Sequence, residues 1–400
     1  MVGNKLINFI FLSYATKTNH NTASFNRTLG YAKGLQKKGY NVLFLFASSP
    51  QQGIQKLGKI RNVIYEFIGD NRNYNSKIER FISQNMLFNK TSKRILEEKI
   101  TNNKTVVKIP VGNPFLSAKY LKFCKKNRIY TFQERSEFPS IGLKAKGIKK
   151  IKNLIEYKYY IKKVLPRIDF MVLMTKTLID YYSKLVNKQA KLFHMPMTVD
   201  VERFINVQSY NLGYKYIAYC GSMNKDKDGV HILVDAFSNI IKKHKGLKLL
   251  LIGPRSPKKD YQEIHEIIKK NNIENEVIFT GQIERNEIPA YLMGAEALCL
   301  ARPESQQALG GFPTKLGEYL LTGKPVVVTK VGEIPDYLSD GINCFMAEPN
   351  SIDSFYNKLS EALTNKKKIT IGINGKKTAM NVFNSLIQSK RLGEFFEQNI

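Results

Sequence analysis

Short, almost wholly apolar runs alternate with segments of helical periodicity along the chain. The first run is KLINFIFLSY (5–14), and a second, YNVLFLFAS (40–48), follows a helical segment that closes at Gly39. A strand that is apolar at consecutive positions is buried on both faces, as in a parallel sheet covered by helices. The alternation therefore predicts an α/β fold made of βαβ units. The other strands predicted in the first half are 62–69, 105–111, 128–134 and 170–175.

The same alternation begins again after a segment near 200–212 that has the character of a linker. Because 400 residues exceed one ordinary core, we predict two Rossmann-like, doubly wound domains, 1–205 and 206–380, facing a central cleft. A last helical stretch, about 380–400, can pack back on the first domain. Ligands of such sheets bind beyond the carboxyl ends of the strands. The strands predicted in the second half are 214–222, 247–253, 276–281, 297–301 and 325–330.

The chain carries 63 Lys and Arg against 33 Asp and Glu, a net charge of +30, and the surplus is concentrated in one half. Residues 1–200 hold 37 basic and 11 acidic side chains, whereas residues 201–400 hold 26 and 22. A one-sided surplus indicates an anionic partner, which is a phosphorylated substrate, a membrane surface or nucleic acid. A lysine-favouring genome is the alternative, but it predicts no asymmetry. Since the sequence contains no recognised nucleic-acid motif, we expect no nucleic-acid partner.

A basic amphipathic pattern lies at residues 144–163, which contain eight lysines and one glutamate. Helical spacing brings Ile148, Ile151 and Ile155 to one face between the lysines. This pattern is typical of a helix that lies on an anionic membrane surface. In the alternative, the apolar stripe packs on its own domain and the lysines still attract the protein to a bilayer.

Targeting signals and the use of cysteine indicate the cellular compartment of the protein. The first residues resemble a buried strand more than a signal peptide, and no run approaches the ~20 apolar residues of a membrane span. The four cysteines are scattered without a CxxC pair, which is typical of a reducing compartment and gives no metal signal. We predict a cytoplasmic protein with peripheral attachment at the inner face of the cell membrane, and no metal.

The most informative segment is residues 310–330, GGFPTKLGEYLLTGKPVVVTK. Pro313 is tolerated in a first turn, so a helix is predicted to begin near Thr314. The first amides of a helix lack intrahelical partners and carry a partial positive charge, and they bind phosphate without a side-chain motif. In the alternative, Glu318 is an ordinary acid of the first turns and Lys315 is a solvated charge.

The chain resembles the family-4 retaining glycosyltransferases of the GT-B fold, of the bacterial surface-polysaccharide type. The resemblance covers almost the whole chain but is specific only in the C-terminal half. It is carried by YCGSMNKDKDGVHILVDAF (219–237), LLLIG (249–253), VIFTGQIERNEIPAYL (277–292) and, above all, ARPESQQALGGFPTKLGEYLLTGKPVVVTKVGEIPDYL (301–338). Weaker similarities in the first half are KKGYNV (37–42), RIDFMVLMT (167–175) and MPMTVDVERF (195–204).

The resemblance implies roles for the residues around the predicted helix start. The donor diphosphate would lie against the amides of Thr314, Lys315 and Leu316, with Gly311 allowing close approach. Glu318 matches the second glutamate of the family's Glu-x7-Glu motif and would accept hydrogen bonds from the ribose hydroxyls. The first glutamate of that motif is replaced by Gly310, and Glu304 could substitute for it. This departure puts the donor sugar in doubt more than the nucleotide.

The loop GSMNKDKDG (221–229) matches a second phosphate site. The resemblance implies contacts from Ser222 and from Lys227, with Lys225 as the competing cation. A lysine would offset the charge of the leaving diphosphate, as a metal does in other transferases. A merely polar loop is the alternative. Other expected members of the nucleotide-sugar site are Gly221, Gly253 and Arg302, the last of which could equally be structural.

In the first domain the resemblance to the family is weaker. Where many relatives carry a histidine, this chain has FQERSEFPS (132–140), with Glu134, Arg135 and Glu137. These three could hold acceptor hydroxyls or the donor sugar, or they could form a salt-bridge cluster. They and Lys227 are the candidate catalytic residues. His20 and Asn21, in an early loop, are candidates for the acceptor side, although a solvated histidine is the alternative.

The resemblance thus implies a retaining, metal-independent glycosyltransferase without a cofactor. It would move a sugar from a UDP- or GDP-linked donor to a hydroxyl of a lipid-linked glycan, and the departing phosphate would take the acceptor proton. The first domain would face acceptor and membrane, and the second would bind the nucleotide sugar. A nucleotide-sugar epimerase of the same fold and a non-catalytic sugar-nucleotide-binding protein are the alternatives.

Overall fold

The structure is a computed structural model that describes residues 6–16, 22–69, 77–99, 104–139, 146–255 and 258–400, without the side chains of 77–82. The chain divides into two compact units. The N-terminal unit comprises Met1–Pro196 and Ser385–Ile400, and the C-terminal unit comprises Met197–Asn384. Each unit contains a predominantly parallel sheet with helices, so the predicted α/β fold with two Rossmann-like sheets is confirmed.

In the described part of the N-terminal unit, an eight-stranded sheet has the order β3-β4-β2-β1-β5-β6-β7-β8. Its strands are β1 (Ile7–Ser13), β2 (Asn41–Phe46), β3 (Leu57–Ile60), β4 (Val63–Phe67), β5 (Lys104–Lys108), β6 (Tyr130–Arg135), β7 (Phe170–Leu173) and β8 (Lys191–His194). Its helices, before the chain leaves this unit, are α1 (Ala23–Lys37), α2 (Lys77–Lys99), α3 (Pro114–Lys126), α4 (Gly147–Tyr159) and α5 (Lys176–Ser183). A π-helical turn, Tyr160–Val164, and a 3-10 turn, Leu165–Arg167, follow α4.

The edge of this sheet carries a hairpin that the sequence patterns did not predict. β3 pairs antiparallel with β4, whereas the other neighbouring strands in the described part of the sheet are parallel. The two-residue turn between them places Arg61 at φ 48° and Asn62 at φ 70°. Two successive left-handed residues match the right-handed twist of a hairpin. The short β3 has half-exposed positions, which hides its strand character from a search for continuous apolar runs.

In the described part of the C-terminal unit, a six-stranded parallel sheet has the order β11-β10-β9-β12-β13-β14. Its strands are β9 (Tyr216–Cys220), β10 (Lys248–Ile252), β11 (Val277–Gly281), β12 (Ala297–Leu300), β13 (Val326–Thr329) and β14 (Phe345–Ala347). Its helices are α6 (Lys225–Asp228), α7 (Val230–Lys243), α8 (Lys258–Lys270), α9 (Ile288–Gly294), α10 (Gln306–Gly310), α11 (Thr314–Leu321), α12 (Ile334–Tyr337), α13 (Ile352–Thr364) and α14 (Lys368–Thr378). A 3-10 turn, Val201–Phe204, precedes the sheet, and a π-helical turn, Ala379–Phe383, follows α14.

The last helix, α15 (Ser385–Asn399), belongs to the N-terminal unit, where it packs on α1. Phe396 lies in edge-to-face contact with Phe9, Phe132 and Phe170, at centroid distances of 5.3, 5.4 and 5.0 Å. Close packing depends on a small residue of α1, because a Cβ on Gly34 would lie 2.1 Å from the Ser389 hydroxyl. The core of this unit is therefore built from both ends of the sequence.

In the parts of the chain that the structure describes, no helix combines the length and apolar character needed to cross a bilayer.

Candidate functional site

The strand order of the C-terminal unit identifies where a ligand would bind. β9 lies between β10 and β12, so the chain runs outward in one direction through β10 and β11 and in the other through β13 and β14. Ligands of open α/β sheets bind at such a switch point, beyond the carboxyl ends of the strands. The loop after β9 and the segment after β12 are the two expected phosphate segments, and both lie at this edge.

Two glycines allow the backbone and a buried lysine to approach closely here. Gly221 has φ 154°, and a Cβ on it would lie 2.4 Å from the Lys315 ammonium nitrogen. Gly253 has φ 134°, and a Cβ on it would lie 2.2 Å from the carbonyl oxygen of Gly221. Since no side chain fits at either position, these loops bring backbone and cation together at the end of β9 and β10.

The helix α11 begins at Thr314, close to where the sequence predicted a helix start. Pro313 occupies the N-cap position, and no side chain caps the first amides. Gly311 and Leu316 are buried, whereas Thr314 is half-buried. The helix N-terminus is therefore uncapped by side chains, which suits an anion.

Lys315 extends from this helix to the loop after β9. Its ammonium nitrogen lies 2.8 Å from Asp228 Oδ2 and donates a hydrogen bond of 2.9 Å to the Tyr219 hydroxyl. The Tyr219 oxygen also lies 2.8 Å from Asp228 Oδ2 and 2.5 Å from the Ser222 carbonyl oxygen. Burial lowers the pKa of Lys315, and the neighbouring Asp228 carboxylate opposes this shift. Sequence reasoning assigned neither Asp228 nor Tyr219, because 87 residues separate Asp228 from Lys315.

Glu318 is paired with an arginine to which the sequence patterns assigned no role. Arg203, in the 3-10 turn Val201–Phe204, forms an ion pair with Glu318 Oε1 through Nη1. Its Nη2 donates a 2.6 Å hydrogen bond to the Arg285 carbonyl oxygen. The arginine is thus fixed at both nitrogens and orients the carboxylate. The segment MPMTVDVERF carries this residue, so a search of that segment for partners of Glu318 could have found it.

The other residues expected at this site differ in their exposure and in their partners. Ser222 is exposed, and Lys227 is half-buried in the short helix α6, which is capped by Asn224. The competing cation Lys225 is bound by Glu263, whose carboxylate oxygens lie 2.7 and 2.9 Å from the ammonium nitrogen.

Gly310 stands where the first glutamate of the family motif is expected, and the residues near it differ in burial. Arg302 is buried, and its Nη2 lies 3.3 Å from the Gln307 carbonyl oxygen, which suits the structural alternative. Gly310 is buried at the end of α10, whereas Glu304 is exposed.

In the N-terminal unit, Glu134 lies at the centre of a buried polar cluster. Arg27 Nε donates to Oε1 at 2.6 Å, and the Tyr31 hydroxyl and Lys108 Nζ contact Oε2 at 2.6 and 2.8 Å. Burial would raise the pKa of Glu134, but the cations of Lys108 and Arg27 outweigh it and hold the pKa at about 2. Arg27 also donates to the carbonyl oxygens of Met195 and Pro196 at 2.7 Å.

This geometry favours the salt-bridge alternative for Glu134 over a catalytic role, because both carboxylate oxygens are already bound. Arg135 lies with its guanidinium 5.6 Å from the Tyr160 ring centre and 5.8 Å from that of Tyr182. Glu137 is half-buried in the segment that follows β6. His20 and Asn21 lie outside the described residues.

A cavity of about 340 Å³ opens beside this cluster at the carboxyl ends of β1, β5 and β6. Hydroxyls and aromatic rings line it, with Glu134 and Lys108 in the wall. It combines hydrogen-bonding groups with apolar faces, as a sugar-binding site requires. The polar members of its lining are Ser13, Thr22, Ser24, Thr28, Lys108, Glu134 and Ser136.

No group of three or more His, Cys, Asp or Glu side chains among the described residues is arranged to hold a metal ion.

Comparison with known proteins gives matches in sequence and in structure. Residues 214–365 match the family model described as glycosyl transferases group 1. An uncharacterized glycosyltransferase of Methanocaldococcus jannaschii is 26% identical over 227 residues, which are 56% of this chain and 59% of that protein. The lipopolysaccharide 1,2-N-acetylglucosaminetransferase of Salmonella typhimurium is 26% identical over 158 residues, which are 38% of this chain and 40% of that protein. The matches thus cover less than two thirds of either relative.

Among solved structures, Anabaena HepE in complex with UDP superposes with a TM-score of 0.69 at 14% identity, covering 98% of this chain and 100% of that one. This likeness shows the fold. The predicted glycosyltransferase is supported by the group 1 model over residues 214–365, while the family-4 and surface-polysaccharide details stay predictions. The family model matches less than half of the chain and both curated relatives are 26% identical, so these matches show a similarity to group 1 glycosyl transferases over part of the chain, and the solved structures show the fold.

Proposed function

We propose that the chain is a retaining glycosyltransferase of surface-polysaccharide synthesis. It transfers a sugar from a UDP- or GDP-linked donor to a hydroxyl of a lipid-linked glycan. The names of the relatives support this proposal, since one is a lipopolysaccharide N-acetylglucosaminetransferase and the HepE structure contains UDP. An epimerase is not favoured, because both curated relatives are named as transferases.

The observation that carries the proposal is the convergence of an uncapped helix N-terminus, a buried lysine and a fixed carboxylate at the switch point of one sheet. The amides of Thr314 and Lys315 bind the donor diphosphate, because they carry the partial positive charge of the helix end, whereas the expected Leu316 amide already donates to the Pro313 carbonyl oxygen at 3.0 Å. Glu318 binds the ribose hydroxyls through Oε2, since Arg203 occupies Oε1. Gly221 and Ser222 bring the backbone of the opposite loop to the phosphates.

The reaction follows from the position of the leaving group. The bond between the anomeric carbon and the diphosphate oxygen breaks, and the acceptor oxygen bonds to the same face of that carbon. The acceptor proton passes to the departing phosphate oxygen, so the step needs positioned cations and amides more than a strong protein base. We expect no metal in this step.

The cavity of the N-terminal unit is the proposed acceptor site. Its hydroxyls, on Ser13, Thr22, Ser24, Thr28 and Ser136, suit the hydroxyls of a glycan. Its aromatic residues Phe25 and Phe44 offer apolar faces to a sugar ring. In this arrangement Glu134 and Lys108 form a rigid wall and take no part in proton transfer.

The helix α4 supports attachment to an anionic membrane. It has no buried residue, and its stripe is unpacked: Ile148, Ile151 and Ile155 are 86%, 60% and 55% exposed. The alternative, in which the stripe packs on its own unit, is therefore not supported. Lysines beside this stripe complement anionic headgroups, while the isoleucines enter the interface.

Calorimetric titration with UDP, GDP, ADP and their sugar conjugates tests the donor part of the proposal. We expect micromolar to millimolar binding of one nucleoside diphosphate and slow release of free sugar or transfer from its conjugate. If no nucleoside diphosphate binds, the proposal is wrong. If one binds but every conjugate stays intact with glycan acceptors present, the non-catalytic alternative replaces it.

Vesicle sedimentation tests the membrane part. Replacing Ile148, Ile151 and Ile155 by serine should lower binding to phosphatidylglycerol vesicles at least tenfold, because each buried CH₂ contributes about 0.8 kcal/mol. Ile369→Ser is the matched control, since Ile369 of α14 is 66% exposed. Equal loss in both variants, or tighter binding to a DNA duplex than to vesicles, would contradict membrane attachment through α4.

A further inference from the structure

Lys315 of α11 is held by two buried side chains, Asp228 and Tyr219. Asp228, the last residue of α6, is 1% exposed, and Tyr219 of β9 is fully buried. Both polar groups of this pair converge on the lysine ammonium, at 2.8 and 2.9 Å. We propose that Asp228 and Tyr219 are positioning residues that aim the Lys315 ammonium at the leaving diphosphate, so that Lys315, and not Lys227, is the cation that offsets its charge. This inference rests on the proposed function.

The hydrogen-bonding capacity of the lysine supports this assignment. An ammonium group has three donors. Asp228 and Tyr219 accept two of them, which leaves one for a phosphate oxygen. The ammonium lies against Gly221, where an added Cβ would come within 2.4 Å of it, so the cation borders the loop after β9. The lysine side chain keeps 18% of its surface exposed, and a ligand can therefore reach it.

The two competing lysines are less well placed. Lys225 is bound to Glu263 through both carboxylate oxygens, at 2.7 and 2.9 Å. Lys227 is half-buried in the four-residue helix α6, where its backbone amide donates to Asn224 Oδ1 at 2.8 Å, so it belongs to a different element from the amides of α11. Lys315, in contrast, belongs to the helix whose amides bind the diphosphate, so cation and amides act on the same phosphates.

The aspartate itself retains unused capacity. Its Oδ2 accepts from Lys315 and lies within hydrogen-bond distance of Tyr219, while Oδ1 is buried without a hydrogen-bond partner among the described residues. A buried carboxylate oxygen left unpaired is costly, so its presence calls for an explanation beyond packing. Here its charge keeps the buried lysine protonated, because burial alone favours the neutral amine.

The charged and titratable groups around the ammonium define the expected pH dependence. Asp228 and Cys220 favour the charged form of Lys315, burial and Arg302 oppose it, and the Tyr219 ring lies 4.6 Å from the nitrogen. Removing the Asp228 charge removes the largest favourable influence. In Asp228→Asn the ammonium should therefore deprotonate at a lower pH than in the unchanged chain, and affinity for a diphosphate should fall at that lower pH.

The experiment compares UDP with UMP, and GDP with GMP, by calorimetry between about pH 7 and pH 10, where the terminal phosphate stays ionised. Lys315→Met should lose about tenfold to a hundredfold in diphosphate affinity and much less in monophosphate affinity, as expected for one charge-assisted hydrogen bond. Lys270→Met, at the exposed end of α8, is the matched control and should change neither. Asp228→Asn should shift the pH at which diphosphate affinity falls, and Tyr219→Phe should lower that affinity less.

Each result has a defined meaning. Unchanged diphosphate affinity in Lys315→Met, with the loss found in Lys227→Met, would overturn this inference and leave the proposed function intact. An unshifted pH profile in Asp228→Asn would overturn the positioning role. If Asp228→Asn does not fold, an unaltered diphosphate affinity in Tyr219→Phe would overturn it instead. If the unchanged chain binds no nucleoside diphosphate, the inference and the proposed function fail together.

Discussion

Each unit buries a carboxylate against a lysine, but the two clusters differ in how completely their hydrogen bonds are satisfied. In the N-terminal unit, Glu134 receives Arg27 on Oε1 and Tyr31, Lys108 and Thr28 on Oε2. In the C-terminal unit, the contacts of Asp228 converge on Oδ2, and Oδ1 has no hydrogen-bond partner within the described residues. Both oxygens of Glu134 are thus hydrogen-bonded, whereas only one oxygen of Asp228 is.

If the proposal for Lys315 holds, the difference separates a carboxylate that stabilises the fold from one that serves a ligand. A buried acid that is fully paired contributes stability only while both partners stay, since removing one leaves an uncompensated charge. A buried acid that is incompletely paired keeps a neighbouring cation charged at some cost in stability. Substitutions in the two clusters should therefore have different effects. In the first cluster they should lower the free energy of unfolding, and in the second they should weaken ligand binding.

The largest effect is expected for Glu134→Gln. The substitution leaves Arg27 and Lys108 buried without their anion, so the free energy of unfolding should fall by about 3–5 kcal/mol. Chemical denaturation measures this, with Glu394→Gln as the control because the Glu394 side chain is 45% exposed and lies 3.6 Å from Lys390. A loss equal to that of the control would mean that the first cluster is not a stabilising element.

The stability of the protein at low pH should depend on the same cluster, because the pKa of Glu134 is depressed. The folded-state pKa of Glu134 is about 2, below the unfolded value of about 4.3. Its contribution is therefore fully present above the unfolded value and is lost as the pH falls from there toward 2, a change of about 3 kcal/mol by linkage. Unfolding measured against pH should show this loss in the unchanged chain and a shallower acid limb in Glu134→Gln. Identical acid limbs would contradict the depressed pKa.

The ribose contact should give an intermediate effect, in binding. Glu318→Ala should weaken nucleoside diphosphate binding by about 2 kcal/mol, roughly thirtyfold, because charged hydrogen bonds to two hydroxyls are lost. Circular dichroism should show an intact fold. Glu318→Gln is the matched variant, which keeps the shape and one acceptor and should lose less. Unchanged affinity in Glu318→Ala would mean that the ribose lies elsewhere.

The smallest change in stability is expected where the second cluster is removed as a whole. In the double variant Asp228→Asn with Lys315→Met both charges disappear, so the free energy of unfolding should change by about 1 kcal/mol or less. Diphosphate affinity should nevertheless fall as far as in Lys315→Met alone. A large loss of stability in the double variant would place this cluster in the same class as that of Glu134.

Local patterns predicted much of the fold and only part of the site. Continuous apolar runs located the long central strands, and Pro313 with the following periodicity located the start of α11. The short strands β3, β8 and β14 were missed because their three or four residues do not produce a clear period.

The ion pairs of the site were missed for a different reason. Arg27 and Glu134 are 107 residues apart, and Arg203 and Glu318 are 115 apart. Local periodicity contains no information on such pairings, which depend on which strands become neighbours. Candidate nucleotide-binding residues could be proposed from the sequence because a helix N-terminus is a local feature, whereas Asp228 resembled one more charge in a polar loop.

The position of α15 has a consequence for how the protein is made. Leu392 and Phe396 complete the aromatic core around β1, β6 and β7, yet they follow the entire C-terminal unit in the sequence. On the ribosome, the sheet of the N-terminal unit is synthesised first but lacks α15, so part of its apolar surface stays uncovered. The C-terminal unit is continuous in sequence, so all its residues are present before α15 is made. The order of synthesis and the order of completion are thus reversed, and the unfinished N-terminal unit is the state that a chaperone would have to shield.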